Sequence, residues 1–198
     1  MAMFHMANDS GLFSNEAADG LVPLYEAKMF HQFNHRWATY TDDGNIRDIT
    51  DEEKSNQHFL PQPRYWVEHI KVENRLGDKW NKDWLLAFRR ICRATDEHTG
   101  IFSITSKVGS GDSVFLMLPA VDDPYLVSCL CACLNSLSFD FITRQKMGGT
   151  NFNFFIIKQI PVISPEAYTS EDIKFISSRV LKLVYTRHLR KLSIVLYD

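Results

Sequence analysis

Apolar residues at positions 126, 130, 134, 137 and 141 recur at spacings of four, four, three and four, the period of a helix with one buried face. Asp122-Asp123-Pro124 ahead of them is a start signal, an acidic cap followed by a proline preset for the first turn. A second helix is predicted from Thr169 or Ser170, with Ile173, Ile176, Val180 and Leu183 on one face and Lys174, Lys182 and Arg190 elsewhere. The remaining apolar runs are short and rich in β-branched and aromatic residues. They predict strands at 21–25, 37–41, 64–67, 84–93, 101–105, 114–118 and 152–157, the last ending at Pro161. Pro23 restricts the first of these to a sheet edge or a strand start, and Pro61-Gln-Pro63 sets an extended approach to the third. The strands at 101–105 and 114–118 are joined by a hairpin-like connection over 107–112. Residues 27–33 read as a helical turn, and 42–56 as an acidic, solvated loop around the turn signal Asp43-Gly44. Residues 1–20 show no clean period and read as an irregular leader. Strands and helices interleave irregularly, which predicts an α+β fold with a mixed sheet spanning 21–165 and a C-terminal helix in 166–198.

Composition narrows the class. The 198 residues are 45% hydrophobic and include 14 Phe, 4 Trp and 7 Tyr, enough apolar area to offset chain entropy and fold one domain. No run of 18 apolar residues is present and no basic-then-apolar leader opens the chain, so a cytoplasmic protein without a membrane segment is expected. Cys92, Cys129, Cys131 and Cys133 form no C-x-x-C pair, and are expected to be buried, reduced thiols. The formal charge of −2 is unevenly placed. Residues 1–60 hold 4 Lys/Arg against 10 Asp/Glu, while residues 61–198 hold 18 against 14. Two stretches are basic without an acid: 84–93, with Arg89, Arg90 and Arg93, and 141–158, with Arg144, Lys146 and Lys158. A local basic face governs phosphate contact more than the whole-chain sum does.

Candidate chemistry is sparse. The Gly-rich nucleotide loops, the nucleophile elbow and the H-E-x-x-H motif are all missing. His31 and His35 lie four apart without a third ligand near in sequence, which favours polar or DNA-contacting histidines over zinc. Asp19, Glu26 and Lys28 echo the D…E-x-K pattern of magnesium-dependent nucleases, in which two carboxylates hold the metal and a lysine stabilises developing charge. The same pattern is common on short strands with no such role. The segment from Phe141 to Phe155 is richer. Arg144, Gln145 and Lys146 end a helix, Gly148-Gly149 turns the chain, and Thr150, Asn151 and Asn153 follow. Glycines admit close backbone approach, the cations suit phosphates, and Gln and Asn suit base edges. A basic helix C-cap followed by a buried strand explains the segment equally well.

Several blocks resemble the C-terminal region of restriction-modification and phage-defence adenine DNA methyltransferases. They are Pro23-Leu-Tyr-Glu-Ala-Lys-Met-Phe-His-Gln-Phe-Asn-His-Arg36, Arg90-Ile-Cys-Arg-Ala-Thr-Asp96, and Asn135-Ser-Leu-Ser-Phe-Asp-Phe-Ile-Thr-Arg-Gln-Lys-Met-Gly-Gly-Thr150. Asn153-Phe-Phe-Ile-Ile-Lys-Gln-Ile-Pro-Val-Ile-Ser-Pro165 is similar to the strand-to-proline phrase closing target-recognition domains, including those of type I specificity subunits. The resemblance implies that residues 21–165 read double-stranded DNA. S-adenosylmethionine would bind a separate catalytic domain of the same parent protein, which is the implied partner. The N-P-P-[YF] motif that grips a flipped adenine is missing here, so the chain itself is expected to bind no cofactor and to perform no catalysis. Where the family has glycine after Tyr-Glu, this chain has Ala27. Carried over by position, the implied DNA-binding residues are Lys28, His31, Gln32, His35 and Arg36, then Arg90 and Arg93, then Arg144, Gln145, Lys146, Gly148, Gly149, Thr150, Asn151 and Asn153. Phosphate contact falls mainly to Lys28, Arg36, Arg93, Arg144 and Lys146, and base readout to Gln32, Gln145, Asn151 and Asn153. Two other readings remain: a nuclease using Asp19, Glu26 and Lys28, and an interaction module whose last helix docks a partner subunit.

Overall fold

A computed structural model of the chain describes residues 1–56, 58–186 and 189. In chain order its strands and helices are β1 (Phe13–Ser14), β2 (Leu21–Tyr25), β3 (Ala38–Tyr40), β4 (Ile46–Asp48), α1 (Asp51–Ser55), β5 (Tyr65–Glu68), α2 (His69–Leu76), β6 (Trp84–Arg89), β7 (Phe102–Ser106), β8 (Gly109–Ser110), β9 (Val114–Met117), α3 (Pro124–Leu134), α4 (Leu137–Lys146), α5 (Phe154–Ile157) and α6 (Ser170–Val184). The class is α+β with a mixed sheet, as the irregular interleaving predicts. One sheet runs β1-β5-β2-β8 with β2 and β8 parallel, a second runs β7-β6-β9, and β3-β4 is a hairpin.

The centre of the molecule is β6, whose first five residues are all buried between antiparallel β7 and β9. A continuous apolar strand of this kind needs cover on both faces. Phe88 supplies much of it. Its ring meets Phe102, Phe115, Phe152 and Phe154 with centroids 5.3–5.7 Å apart, and Phe139 closes on Phe102 at 5.6 Å. Edge-to-face geometry dominates this cluster, the arrangement favoured by ring quadrupoles.

Several expectations are corrected. The segment 107–112 does not join its flanking strands as a hairpin: β6 lies between β7 and β9, and the connection adds β8 to the other sheet. Gly109 makes that crossing possible, since a Cβ there would lie 2.6 Å from Val67 Cγ1 and 2.9 Å from Leu24 Cδ1. Pro23 sits where β2 pairs with β5 alone, β8 reaching only Leu24 and Tyr25, so its missing N–H costs no ladder bond. The loop expected over 42–56 contains β4 and α1. Asp43-Gly44 is the turn of the β3-β4 hairpin, and Thr50 with Glu53 forms a capping box that starts α1. Met3 and Phe4, in the segment expected to be a leader, are buried in the core, and Phe13 and Ser14 pair with β5.

The long helix predicted from Asp123 breaks at Asn135-Ser136 into α3 and α4, bent by 57°. Asn135 accepts from and donates to the backbone of Phe102, and Ser136 restarts the helix by capping the Phe139 N–H. The bend rotates the faces, so Leu137 and Phe141 point outward at 80% and 65% exposure while Phe139, Asp140 and Thr143 turn inward. Residues 152–157 are not a strand. Phe152 is buried, and Asn153 caps the short helix α5 by accepting the Ile156 N–H. Thr169 starts α6 through a capping box with Asp172. Ser177, Val180, Leu181 and Val184 form the buried face of α6, which lies against α3, and Leu183 is outside it. The predicted Arg190 lies outside the described residues. Among the described residues no single helix is long and apolar enough to cross a membrane.

Candidate nucleic-acid interface

The connection from β6 to β7, residues 90–101, is the hub at which the three polar sequence blocks meet. Turn residues 148–152 are zipped to its first part. Cys92 N–H donates to the Thr150 carbonyl at 3.1 Å, Ile91 and Asn151 form an antiparallel bridge, and Phe152 N–H donates to the Arg90 carbonyl at 2.7 Å. Helix α4 grips its middle. Asp140 Oδ1 accepts the Thr99 and Gly100 N–H groups at 2.7 and 2.8 Å, while Arg144 Nη1 donates to the Ala94 carbonyl at 3.1 Å and Nη2 to that of Glu97. The turn His31 to Asn34 approaches from the other side. Gln32 Nε2 donates to the Gly100 carbonyl at 3.2 Å, and the His31 and His98 rings lie 5.8 Å apart, edge to face. Phe33 holds that turn with φ of 59°, a conformation costly for a bulky residue, and its N–H donates to the Phe102 carbonyl at 3.1 Å.

Convergence does not make every member a ligand group. Arg36 is buried at 8% exposure, and its guanidinium donates to the carbonyls of Lys54, Asn56 and Phe59. It satisfies the C-terminal end of α1 and is withdrawn from phosphate contact. His35 is buried at 2% exposure and shares a 2.8 Å hydrogen bond between Nε2 and Thr186 Oγ1. Arg144 is held by Asp140 at 2.8 Å in addition to its two carbonyls, so its three nitrogens are all engaged. Arg90 donates to the Asp112 carbonyl at 3.2 Å and lies over the Phe115 ring. Asn153 is the α5 cap. Arg36 and His35 are thus buried structural groups, whereas Arg90, Arg144 and Asn153 are half-buried, each engaged within the chain and each still partly open to solvent.

The exposed remainder is Lys28, Arg93, Gln145, Lys146, Gly148, Gly149, Thr150 and Asn151, with His31 and Gln32 half-buried. Arg93 and residues 145–151 share one rim, because the zipper and the Arg144 clamp bring their backbones together. A Cβ at Gly148 or Gly149 would meet nothing within 4 Å, and neither glycine has positive φ. The turn is open toward solvent, and no contact among the described residues calls for glycine there. Ala27 is buried at the start of a 3-10 turn, Ala27–Met29, that carries Lys28 outward.

The metal readings are not supported by geometry. Asp19 lies in the turn before β2 and Glu26 follows its far end, and at about 3.3 Å per residue the strand between them alone spans about 13 Å. Glu26 faces Tyr40 and Arg64 instead, the latter at 3.8 Å, and burial together with Glu26 pushes the Tyr40 phenol up to about 12. His31 and His35 are parted by burial of the second. No group of three or more His, Cys, Asp or Glu side chains is placed to hold a metal among the described residues. The thiols are free; burial pushes Cys92 and Cys131 up to about 12, so neither is a nucleophile at neutral pH.

Three half-buried groups that the sequence reading did not assign to the site belong to it: Trp37, His98 and Arg89, the last named only within a basic stretch. Trp37 stacks on His31 with centroids 4.6 Å apart. Arg89 donates through Nε and Nη2 to the Phe30 carbonyl, and burial lowers its guanidinium to about 10. Its position as the last residue of a buried strand, in an acid-free stretch, was the available signal. Comparison of the chain with protein-family models, with curated proteins and with solved structures finds no match.

Proposed function

We propose that this chain is the DNA target-recognition part of an S-adenosylmethionine-dependent adenine DNA methyltransferase of a restriction-modification or phage-defence system, non-catalytic by itself. The supporting observation is the meeting of three sequence-remote polar blocks around residues 90–101, with Arg93, Gln145, Lys146, Thr150 and Asn151 left exposed on one rim. Cations for phosphates beside amides and a hydroxyl for base edges are the mixture that duplex reading requires. With Arg36 buried and Arg90 and Arg144 partly engaged by carbonyls, the reading surface in this proposal centres on that rim and on Lys28. Catalysis, cofactor and methyl transfer belong in this reading to the parent's catalytic domain, and the free thiols suit a reducing, cytoplasmic setting.

The test is equilibrium binding of the full chain to a labelled duplex between 50 and 200 mM salt, paired with a methyl-transfer assay. Binding that weakens steeply with salt, without transfer, is expected. Failure to bind at low salt, or methylation by the chain unaided, overturns the reading.

A further inference from the structure

A cleft of about 200 Å³ opens between the 3-10 turn Ala27–Met29 and the β3-β4 hairpin, with Lys28, Trp37, Arg47, Asp48 and Arg89 among its walls. Its charges are not equivalent. Arg47 is held by both oxygens of Glu53, at 2.8 and 2.6 Å, and is neutralised where it stands. Lys28 is exposed and makes no ion pair among the described residues. Arg89 is half-buried with a single acceptor, the Phe30 carbonyl; Asp96 acts on it through space, but no carboxylate lies within ion-pair distance among the described residues. A cation withdrawn from water without a counter-charge is costly unless an anion completes it.

We propose that this cleft seats one phosphate group in its singly charged phosphodiester form, held by Lys28 and Arg89 beside Trp37. The size agrees: about 200 Å³ is below the range of roughly 300–1,000 Å³ that encloses a drug-sized ligand, and suits one tetrahedral anion rather than a nucleotide. The charge agrees as well. With Arg47 cancelled by Glu53, Lys28 and Arg89 face Asp48 at the cleft wall, and Asp96 offsets Arg89 further from outside it, so the positive surplus is small and matches a diester better than a dianion. The seat refines the duplex-binding reading and rests on it for the source of the diester, whereas the anion chemistry stands independently.

The test is a heteronuclear NMR titration of the full chain with dimethyl phosphate, with inorganic phosphate, and with a short duplex. The Trp37 indole N–H and His31 ring signals report the cleft. Both signals are expected to move with dimethyl phosphate and with duplex, and less with dianionic phosphate. Lys28→Gln is expected to weaken the dimethyl phosphate response at least tenfold, Arg89→Gln likewise, with partial recovery in Arg89→Lys. Lys28 is exposed, so its variant tests the seat without endangering the fold. If the small anions move both signals but the duplex binds nowhere, the seat stands and the duplex reading falls. If the duplex moves signals only around Arg93 and Lys146 while Trp37 and His31 stay fixed, the seat is overturned and the duplex reading survives.

Discussion

The Asp140 carboxylate and the Arg144 guanidinium, one helical turn apart, meet at 2.8 Å, and between them they fasten the 93–100 segment to α4. Asp140 is nearly buried and satisfies two backbone N–H groups with its second oxygen. Removing it leaves those donors unpaired and a half-buried cation without its counter-charge. Asp140→Ala is therefore expected to cost about 3 kcal/mol in urea-induced unfolding. Arg144→Ala, which frees mostly solvent-accessible carbonyls, is expected to cost about half as much. Amide hydrogen exchange at Thr99 and Gly100 should accelerate in the first variant well beyond the second. Equal, small losses would show that the clamp contributes little.

Two arginines that look alike in sequence should separate under mutation. Arg36 is closed over three carbonyls, so Arg36→Ala is expected to lose about 2 kcal/mol of stability while leaving the salt dependence of duplex binding unchanged. Lys146→Ala and Arg93→Ala sit on the exposed rim. Each is expected to leave stability within about 0.5 kcal/mol and to reduce the slope of log K against log salt by about 0.9, one phosphate contact each. Anisotropy titrations at several salt concentrations, beside thermal melts, give both readouts.

What the sequence revealed, and what it hid, follows from where the controlling interactions lie. Strand β6 was legible in its apolar run 84–88, although it ends at Arg89 and not at Arg93, and the α6 start was legible because Thr169 is a capping residue directly ahead of a periodic apolar face. The break between α3 and α4 was hidden. The 126–141 periodicity continues through Asn135 unbroken, whereas the bend is fixed by the hydrogen bonds of Asn135 with Phe102, 33 residues away. The same holds at the site. The three blocks were visible as polar segments, yet whether a given arginine faces solvent or a carbonyl is decided by distant backbone: Lys54 for Arg36, Ala94 for Arg144, Phe30 for Arg89. Asp140 was the exception that could have been found, since Asp and Arg four apart on one helix form a local pair.

Glycines divide in the same way. Gly109→Ala forces a Cβ against Val67 and Leu24 and into contact with the Pro23 carbonyl at 3.4 Å, where β8 joins β2. It is expected to cost about 1–3 kcal/mol in thermal or chemical unfolding. Gly148→Ala and Gly149→Ala meet open space at ordinary φ, and are expected to be neutral or to stabilise by about 0.4–1 kcal/mol through the unfolded chain. A loss of duplex affinity in these two, with stability intact, would mark close approach of a nucleic-acid backbone to the turn. Unchanged affinity would assign contact to the neighbouring side chains alone.

The acid limb of stability should carry a contribution from His31. Burial, and then the positive charges of Arg89 and His98, lower its imidazole from 6.5 to about 4, against weaker opposing effects of Glu97 and Asp48. The unfolded chain therefore binds a proton at His31 that the folded chain refuses throughout the window between those values. Stability from this group is fully present above about pH 6.5, declines as the pH falls, and is gone once the pH is below about 4. The ring is only half-buried, and solvent screening reduces the amplitude to the order of 1 kcal/mol. His31→Phe retains an aromatic ring against Trp37 and leaves the backbone bridge to Asn34 in place, but cannot titrate. Urea unfolding at pH 4.5, 5.5, 6.5 and 7.5 should show the native chain losing stability toward acid more steeply than His31→Phe, with the two curves parallel above pH 7. Parallel curves across the whole range would mean that His31 is not held neutral by its surroundings.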